Sequence, residues 1–210
     1  ASFIRSLWTT FLGATLLSLG NLLINGAGAY AFARINFRGK KALWSLALLP
    51  MYIPGVATMV PTFIVIHRMG LLNSYGALIL PGLASAGNVF FLRQYFLGTP
   101  LSLEEASQID GCDRIQAFFR LFVPMAVPPF VLTGVGAFLA YWNNYLWPLL
   151  VLSDAAKYPV MLELQFYRSQ WDVHYGVLMA ASFIAALPPA ALFLVFQKYL
   201  VQGIKIAGLK

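Results

Sequence analysis

Apolar residues run in five stretches, 6–33, 42–66, 75–97, 121–152 and 176–201, parted by short polar joints. About 20 residues at helical rise cross the hydrocarbon layer, so each stretch predicts a membrane-spanning helix. The first carries Asn21 and Asn25, four apart on one helical face, together with Gly13, Gly20, Gly26 and Gly28. Small residues of this kind suit a face packed closely on other helices. The two amides either hold helices together or face a solute path. The second stretch contains Pro50, Pro54 and Pro61 and is predicted to bend or break, because each proline removes a backbone donor. In a membrane such breaks persist where protein or a water-lined cavity takes up the freed carbonyls. The third is diluted by Pro81, Gly82, Ser85, Gly87 and Asn88. Its Arg93 is expected at the cytoplasmic end, since an arginine at the bilayer centre costs about 2.5 to 3.5 kcal/mol on the insertion scale.

The fourth stretch opens with Pro124, Pro128 and Pro129 and closes on Tyr141-Trp142-Asn143-Asn144-Tyr145-Leu146-Trp147-Pro148. Those aromatics read in two ways. They suit a membrane interface, and they also offer stacking faces and amides of the kind that bind sugars. The fifth has Ala181 and Ala185 at small-xxx-small spacing, with a bend expected at Pro188-Pro189. Between spans, 67–74 predicts a short outer turn punctuated by Gly70 and Asn73, and 154–175 an outer loop with Lys157, Glu163, Arg168 and Asp172.

One stretch breaks the apolar pattern. Residues 101–124, LSLEEASQIDGCDRIQAFFRLFVP, hold Glu104, Glu105, Asp110 and Asp113, four of the seven carboxylates. Such a segment must meet water or protein rather than lipid. Ser102 with Glu105 forms a capping-box pattern that predicts a helix start near Leu103. Gly111 falls where a residue of positive φ would end that helix, and Asp113 with Gln116 repeats the start signal. A first helix of about nine residues is shorter than the roughly 12 to 15 that are marginal alone in water. Something must hold it.

Composition agrees with a membrane protein: 60% of residues are hydrophobic and 10% charged. The net charge of +7 comes from short basic clusters at the ends of apolar runs, a topology signal rather than a nucleic-acid patch. Ten basic residues (Arg34, Arg38, Lys40, Lys41, Arg93, Arg114, Arg120, Lys198, Lys205, Lys210) fall inside and four (Arg5, Arg68, Lys157, Arg168) outside if the N-terminus is out and the C-terminus in. That topology places the polar stretch in the cytoplasm. A single cysteine, Cys112, allows no intrachain disulfide, and His67 and His174 have no partner at ligand spacing, so no metal site is expected. No phosphate loop, H-E-x-x-H or G-x-S-x-G is present, so the chain supplies no catalytic residue. No internal repeat or low-complexity linker appears, which predicts one domain over 1–210.

Glu105-Ala106-Ser107, then Gly111, then Leu121-Phe122-Val123-Pro124 resembles the EAA loop of ABC importer permeases in every spacing, with Ser107 replacing the second alanine. Further likeness lies in Phe37-Arg38-Gly39-Lys40, Gly70-Leu71-Leu72-Asn73, Leu92-Arg93-Gln94-Tyr95-Phe96, Ile109-Asp110-Gly111, Trp142-Asn143 and Phe196-Gln197-Lys198. Over nearly its whole length the chain is similar to the carbohydrate-importer permeases typified by the maltose permease G subunit.

The resemblance implies an all-α, polytopic membrane helix bundle of the type I importer kind, with five spans and a cytoplasmic coupling loop over 99–120. It also implies a further span upstream, so an N-terminally incomplete copy is expected. A separate pair of ATPase subunits, with their ATP and Mg, would grip the helix ending at Gly111. A second, non-identical permease, an extracytoplasmic solute-binding protein and a sugar would complete the machine, with no cofactor in this chain. Glu105, Ala106, Ser107, Asp110, Gly111 and Pro124 are the expected coupling residues, although Glu105 also reads as a helix cap. Asn21, Asn25, Tyr141, Trp142, Asn143 and Asn144 are the candidates for the solute path. Two alternatives stand beside sugar import: the same machine carrying glycerol phosphate or another small solute, and a passive channel or scaffold.

Overall fold

The computed structural model describes residues 2–169 and 175–208, and among them the regular structure is entirely helical. Two helices are long and apolar enough to cross a membrane by themselves: α1, Ser2–Arg34, and α12, Tyr175–Gly208 over its part up to Leu200. Among the described residues, three pairs of shorter helices, each parted by a break, bring the spans to five when each pair is taken as one crossing, in agreement with the apolar pattern. These are α2 (Lys40–Leu48) and its 3-10 extension with α3 (Gly55–Arg68); α4 (Tyr75–Ile79) with α5 (Ala86–Leu97); and the run from α7 (Arg114–Ala117) to α8 (Val123–Met125) with α9 (Val127–Trp142). The remaining helices are α6 (Leu101–Ile109), α10 (Leu146–Val151) and α11 (Val160–Ser169).

The chain packs as two compact units, each assembled from three segments. The first takes Ala1–Gly20, Gly55–Leu83 and Val135–Val195. Its core holds Ala14, Leu17, Ile66, Leu78, Phe138, Trp142, Trp147 and Ala185. The second takes Asn21–Pro54, Ala84–Gly134 and Phe196–Lys210, with a core of Tyr30, Leu92, Phe96, Phe118, Phe122 and Ala126.

The small residues of α1 do what their spacing predicts. A methyl group at Gly13 would collide with the Tyr141 hydroxyl, and one at Gly26 would lie 2.8 Å from the Phe130 ring. Ala181 and Ala185 are likewise buried in the first unit. Helix α12 runs on through Pro188 and Pro189.

At two prolines the lost backbone donor is replaced by a side chain. Pro81 has no N–H to offer the carbonyl of Ala77 four residues back. The Trp147 indole N–H donates to that oxygen instead, at 2.9 Å. Pro129 leaves the Met125 carbonyl in the same position, and the Tyr95 hydroxyl donates to it at 2.6 Å. A buried carbonyl left unmet costs about 1 to 3 kcal/mol, so the buried Trp147 bond makes the Pro81 break tolerable, while the Tyr95 bond to Met125 is exposed in the isolated chain.

Two expectations need correction. The fourth stretch is not one continuous helix from 121 to 152: it breaks at Ala126 and again at Asn143–Tyr145, so the aromatic cluster straddles the joint between α9 and α10. The loop expected over 154–175 holds regular structure in its described part, with a 3-10 turn at Ala155–Lys157 followed by α11. Its helix start is stabilised from afar, since the Val160 N–H donates to the Thr10 hydroxyl of α1 at 2.8 Å. Asn73, at φ 55, fixes the other end of the loop: its side-chain oxygen accepts from the Ser153 and Asp154 N–H groups and its carbonyl from Lys157 Nζ. Asp172 and His174 lie outside the described residues.

Candidate functional site

Helix α6 has nine residues and buries none of them. It begins at Leu101 with Pro100 as its N-cap, and no side chain caps its first turn. The Ser102–Glu105 capping box expected from the sequence is therefore not formed. An N-cap residue needs an extended backbone while its carbonyl accepts the first helical bond. Pro100, at ψ 138, already provides that geometry two residues earlier, so Ser102 lies inside the first turn. Glu105 is left exposed.

The far end follows the expected pattern. The Gly111 N–H donates to the Gln108 carbonyl at 3.0 Å and the Cys112 N–H to the Ser107 carbonyl at 2.9 Å, the pair of bonds that defines a Schellman stop. Gly111 has φ 81, which a residue with a Cβ adopts only at a cost. Asp110 is the C-cap, its N–H bonded to the Ala106 carbonyl. Both halves of the Asp113–Gln116 capping box are made, at 2.7 and 3.2 Å.

Around this turn the surface is mixed in character. Glu105, Ala106, Asp110 and Gly111 are exposed, and the Ser107 hydroxyl turns back to the Glu104 carbonyl at 2.7 Å. Beside them Ile109 is 86% exposed and Ile115 69%, large apolar side chains on a segment too polar for lipid. An acidic helix flanked by uncovered isoleucines has the character of a protein-docking surface.

Behind the turn the chain passes into a π-helical turn, Phe118–Phe122. The wider turn sends Phe118 and Phe122 together into the second unit's core, 5.4 and 4.9 Å from the Tyr30 ring, while Phe119 stays exposed. Inserted π turns recur at functional places in helices. Pro124 follows in the first turn of α8 and is exposed.

The candidates for a solute path separate into two groups. Asn21 and Asn25 are buried and bonded. Asn25 Oδ1 accepts from the Ser85 N–H at 2.8 Å, and Asn21 Oδ1 accepts from Asn88 Nδ2 at 2.8 Å, so both amides serve the start of α5. At the α9–α10 joint, Asn143 and Asn144 are exposed beside Tyr145. Tyr141 and Trp142 are core residues, with Trp142 stacked on Phe138 at 5.5 Å. Both are packed inside the subunit, Tyr141 against Gly13 and Trp142 against Phe138, unlike the exposed Tyr145.

Sequence reasoning missed Arg34. Its only signal was a basic residue at the end of an apolar run, which the topology rule absorbs. In the structure its side chain is 5% exposed and its guanidinium lies 3.7 Å from the Glu104 carboxylate of α6.

A family model described as the binding-protein-dependent transport system inner membrane component matches residues 24–206. The chain is 34% identical over 209 residues to the arabinooligosaccharides transport system permease protein AraQ of Bacillus subtilis, covering 100% of this chain and 72% of that one. It is 32% identical over 182 residues to the lactose transport system permease protein LacG of Rhizobium radiobacter, covering 87% and 67%. Among solved structures, a chain of a bacterial ABC transporter involved in the import of the acidic polysaccharide alginate has the same fold, with a TM-score of 0.79 over 95% of this chain and 79% of that one at 24% identity. Five apolar spans, a polar helix with a glycine stop and these matches lead to one conclusion: this chain belongs to the binding-protein-dependent inner membrane components, the permease subunits of ABC importers.

Proposed function

We infer that this permease subunit imports a carbohydrate delivered by an extracytoplasmic solute-binding protein, driven by ATP hydrolysis in a separate pair of ATPase subunits docked on α6. The observation that carries the reading is α6 itself: a nine-residue helix with no buried residue, an exposed Glu105 and an uncovered Ile109 beside a glycine stop. So short a helix gains from a partner that covers it. Closure of the ATPase pair draws α6 with it, and the Gly111 turn and the π-helical turn pass the displacement into α8 and α9. Packed helices transmit such a push by switching between discrete arrangements.

In this reading α6 and the C-terminus lie in the cytoplasm and the 154–157 turn outside, a topology that the distribution of basic residues supports. A second permease, non-identical by analogy with the resembled importers, completes the pathway. Asn143 and Asn144 line it at the α9–α10 joint, with Tyr141 and Trp142 packed behind them. Asn21 and Asn25 contribute by holding the α5 start in place.

Two arginines turned inward near helix ends, Arg34 and Arg93, favour a neutral cargo over a phosphate. Arg34 is paired with Glu104, while Arg93 Nε donates to the Phe32 carbonyl at 3.0 Å and its guanidinium covers Trp44 at 4.3 Å. Neither is uncommitted, as a phosphate site would require.

Uptake by proteoliposomes holding both permeases and the ATPase tests the reading, with arabino-oligosaccharide, lactose and glycerol phosphate offered in turn. Sugar uptake that needs internal ATP and external binding protein is expected, and Asn143→Ala should raise KM at unchanged protein level. Uptake without any ATPase subunit would return the chain to the passive channels.

A further inference from the structure

The guanidinium of Arg34 stands where three segments meet. It closes α1, and its Nη2 donates to the carbonyls of both Phe96 and Thr99 at the C-terminal end of α5. Its Nη1 faces the Glu104 carboxylate in the first turn of α6 at 3.7 Å, and its carbon lies 5.2 Å from the centre of the Phe122 ring, in the π-helical turn. The side chains of Arg34 and Glu104 are 5% and 13% exposed, so this is a charge pair withdrawn from water.

We propose that Arg34 is a positioning residue for coupling, a buried clamp that sets the pose of α6 against the ends of α1 and α5. The inference rests on the reading of α6 as the ATPase dock. With no buried residue of its own, α6 has little apolar packing to hold it to the rest of the subunit. Glu104 is its least exposed carboxylate, whereas Glu105, one residue on, points to the opposite task of meeting a partner. The two adjacent acids thus divide the work: one anchors, the other docks.

The chemistry requires arginine. The last carbonyls of a helix lack intrahelical donors and carry its negative end, so a cation there is favourable. Two carbonyls, one carboxylate and one aromatic face around a single charge match a planar guanidinium with several fixed donors. Lysine keeps the charge but cannot fan its hydrogens across this set while lying flat over Phe122. Buried ion pairs are weak devices for stability and are best understood as fixing one arrangement. Here the arrangement is that of α6, with the consequence that a pull on α6 is felt by α1 directly through Glu104 and Arg34, as well as along the chain through Gly111.

Hydrogen exchange of the full chain in nanodiscs, bound to its ATPase, tests the clamp. In Arg34→Lys and in Glu104→Gln, amides of α6 should exchange about tenfold faster or more, the equivalent of one lost charge-assisted hydrogen bond. Those of α9 should be unchanged, which shows the subunit still folded. Trapping the ATPase with Mg-ATP and vanadate should alter exchange at both α6 and the end of α1 in the native chain. In Arg34→Lys the response at α1 should be lost while that at α6 persists. Unchanged α6 exchange in both variants overturns the clamp, as does an α1 response that survives Arg34→Lys. If vanadate trapping leaves α6 of the native chain unaffected, the docking reading itself is wrong, and nucleotide-free exchange still decides whether Arg34 fixes α6.

Discussion

At residue scale the proposed coupling segment holds two positions whose structural settings differ, Gly111 and Glu105. Gly111 has φ 81, and nothing lies within 4 Å of the place a Cβ would occupy, so its requirement is backbone conformation alone. Gly111→Ala should cost about 1 to 2 kcal/mol locally and impair coupled transport. Gly111→Asn, which tolerates the left-handed region, should recover much of that loss. Comparing uptake per ATP in the two variants checks it; an alanine as good as asparagine would show that conformation is not the point. Glu105 makes no cap. Glu105→Ala should therefore leave thermal stability in detergent within about 0.5 kcal/mol of native, as for an exposed site, yet reduce the ATPase that co-purifies. A marked drop in stability with intact assembly would reinstate the cap.

At element scale, the joints between helices carry the design. Where Pro81 and Pro129 remove backbone donors, Trp147 and Tyr95 supply them. Trp147→Phe keeps an aromatic side chain, though a smaller one, and strands the buried Ala77 carbonyl, at about 1 to 3 kcal/mol. Pro81→Ala returns the missing N–H, so Trp147→Phe should cost clearly less in that background. Melting of the four proteins of this cycle measures the coupling, and equal costs in both backgrounds would reject the repair.

These joints also mark what local sequence conveys. Gly111 and the Asp113–Gln116 box were legible because every partner lies within five residues. Ser102–Glu105 misled because Pro100 claimed the N-cap first. Helix α11 was hidden since the hydroxyl that caps Val160 comes from Thr10, 150 residues away. Arg34 was hidden for a subtler reason: a lone basic residue at a span end satisfies the topology rule whether it is solvated or buried.

At the scale of the whole molecule, five apolar spans and a family match over residues 24–206 define a permease subunit. In the proposed reading the free energy for import comes through a docking surface, and α6 with the exposed Ile109 and Ile115 is the surface proposed for it. The native Cys112, half-buried at the Gly111 turn, provides a handle there without any substitution. Crosslinking from Cys112, and from Ser107→Cys in the same chain, in membranes that hold the assembled transporter is the most direct measurement. Both positions should capture an ATP-hydrolysing subunit, with a yield that changes when Mg-ATP and vanadate trap it. Capture of no such subunit from either position, or labelling of Cys112 by an impermeant reagent applied from outside the cell, would contradict the account.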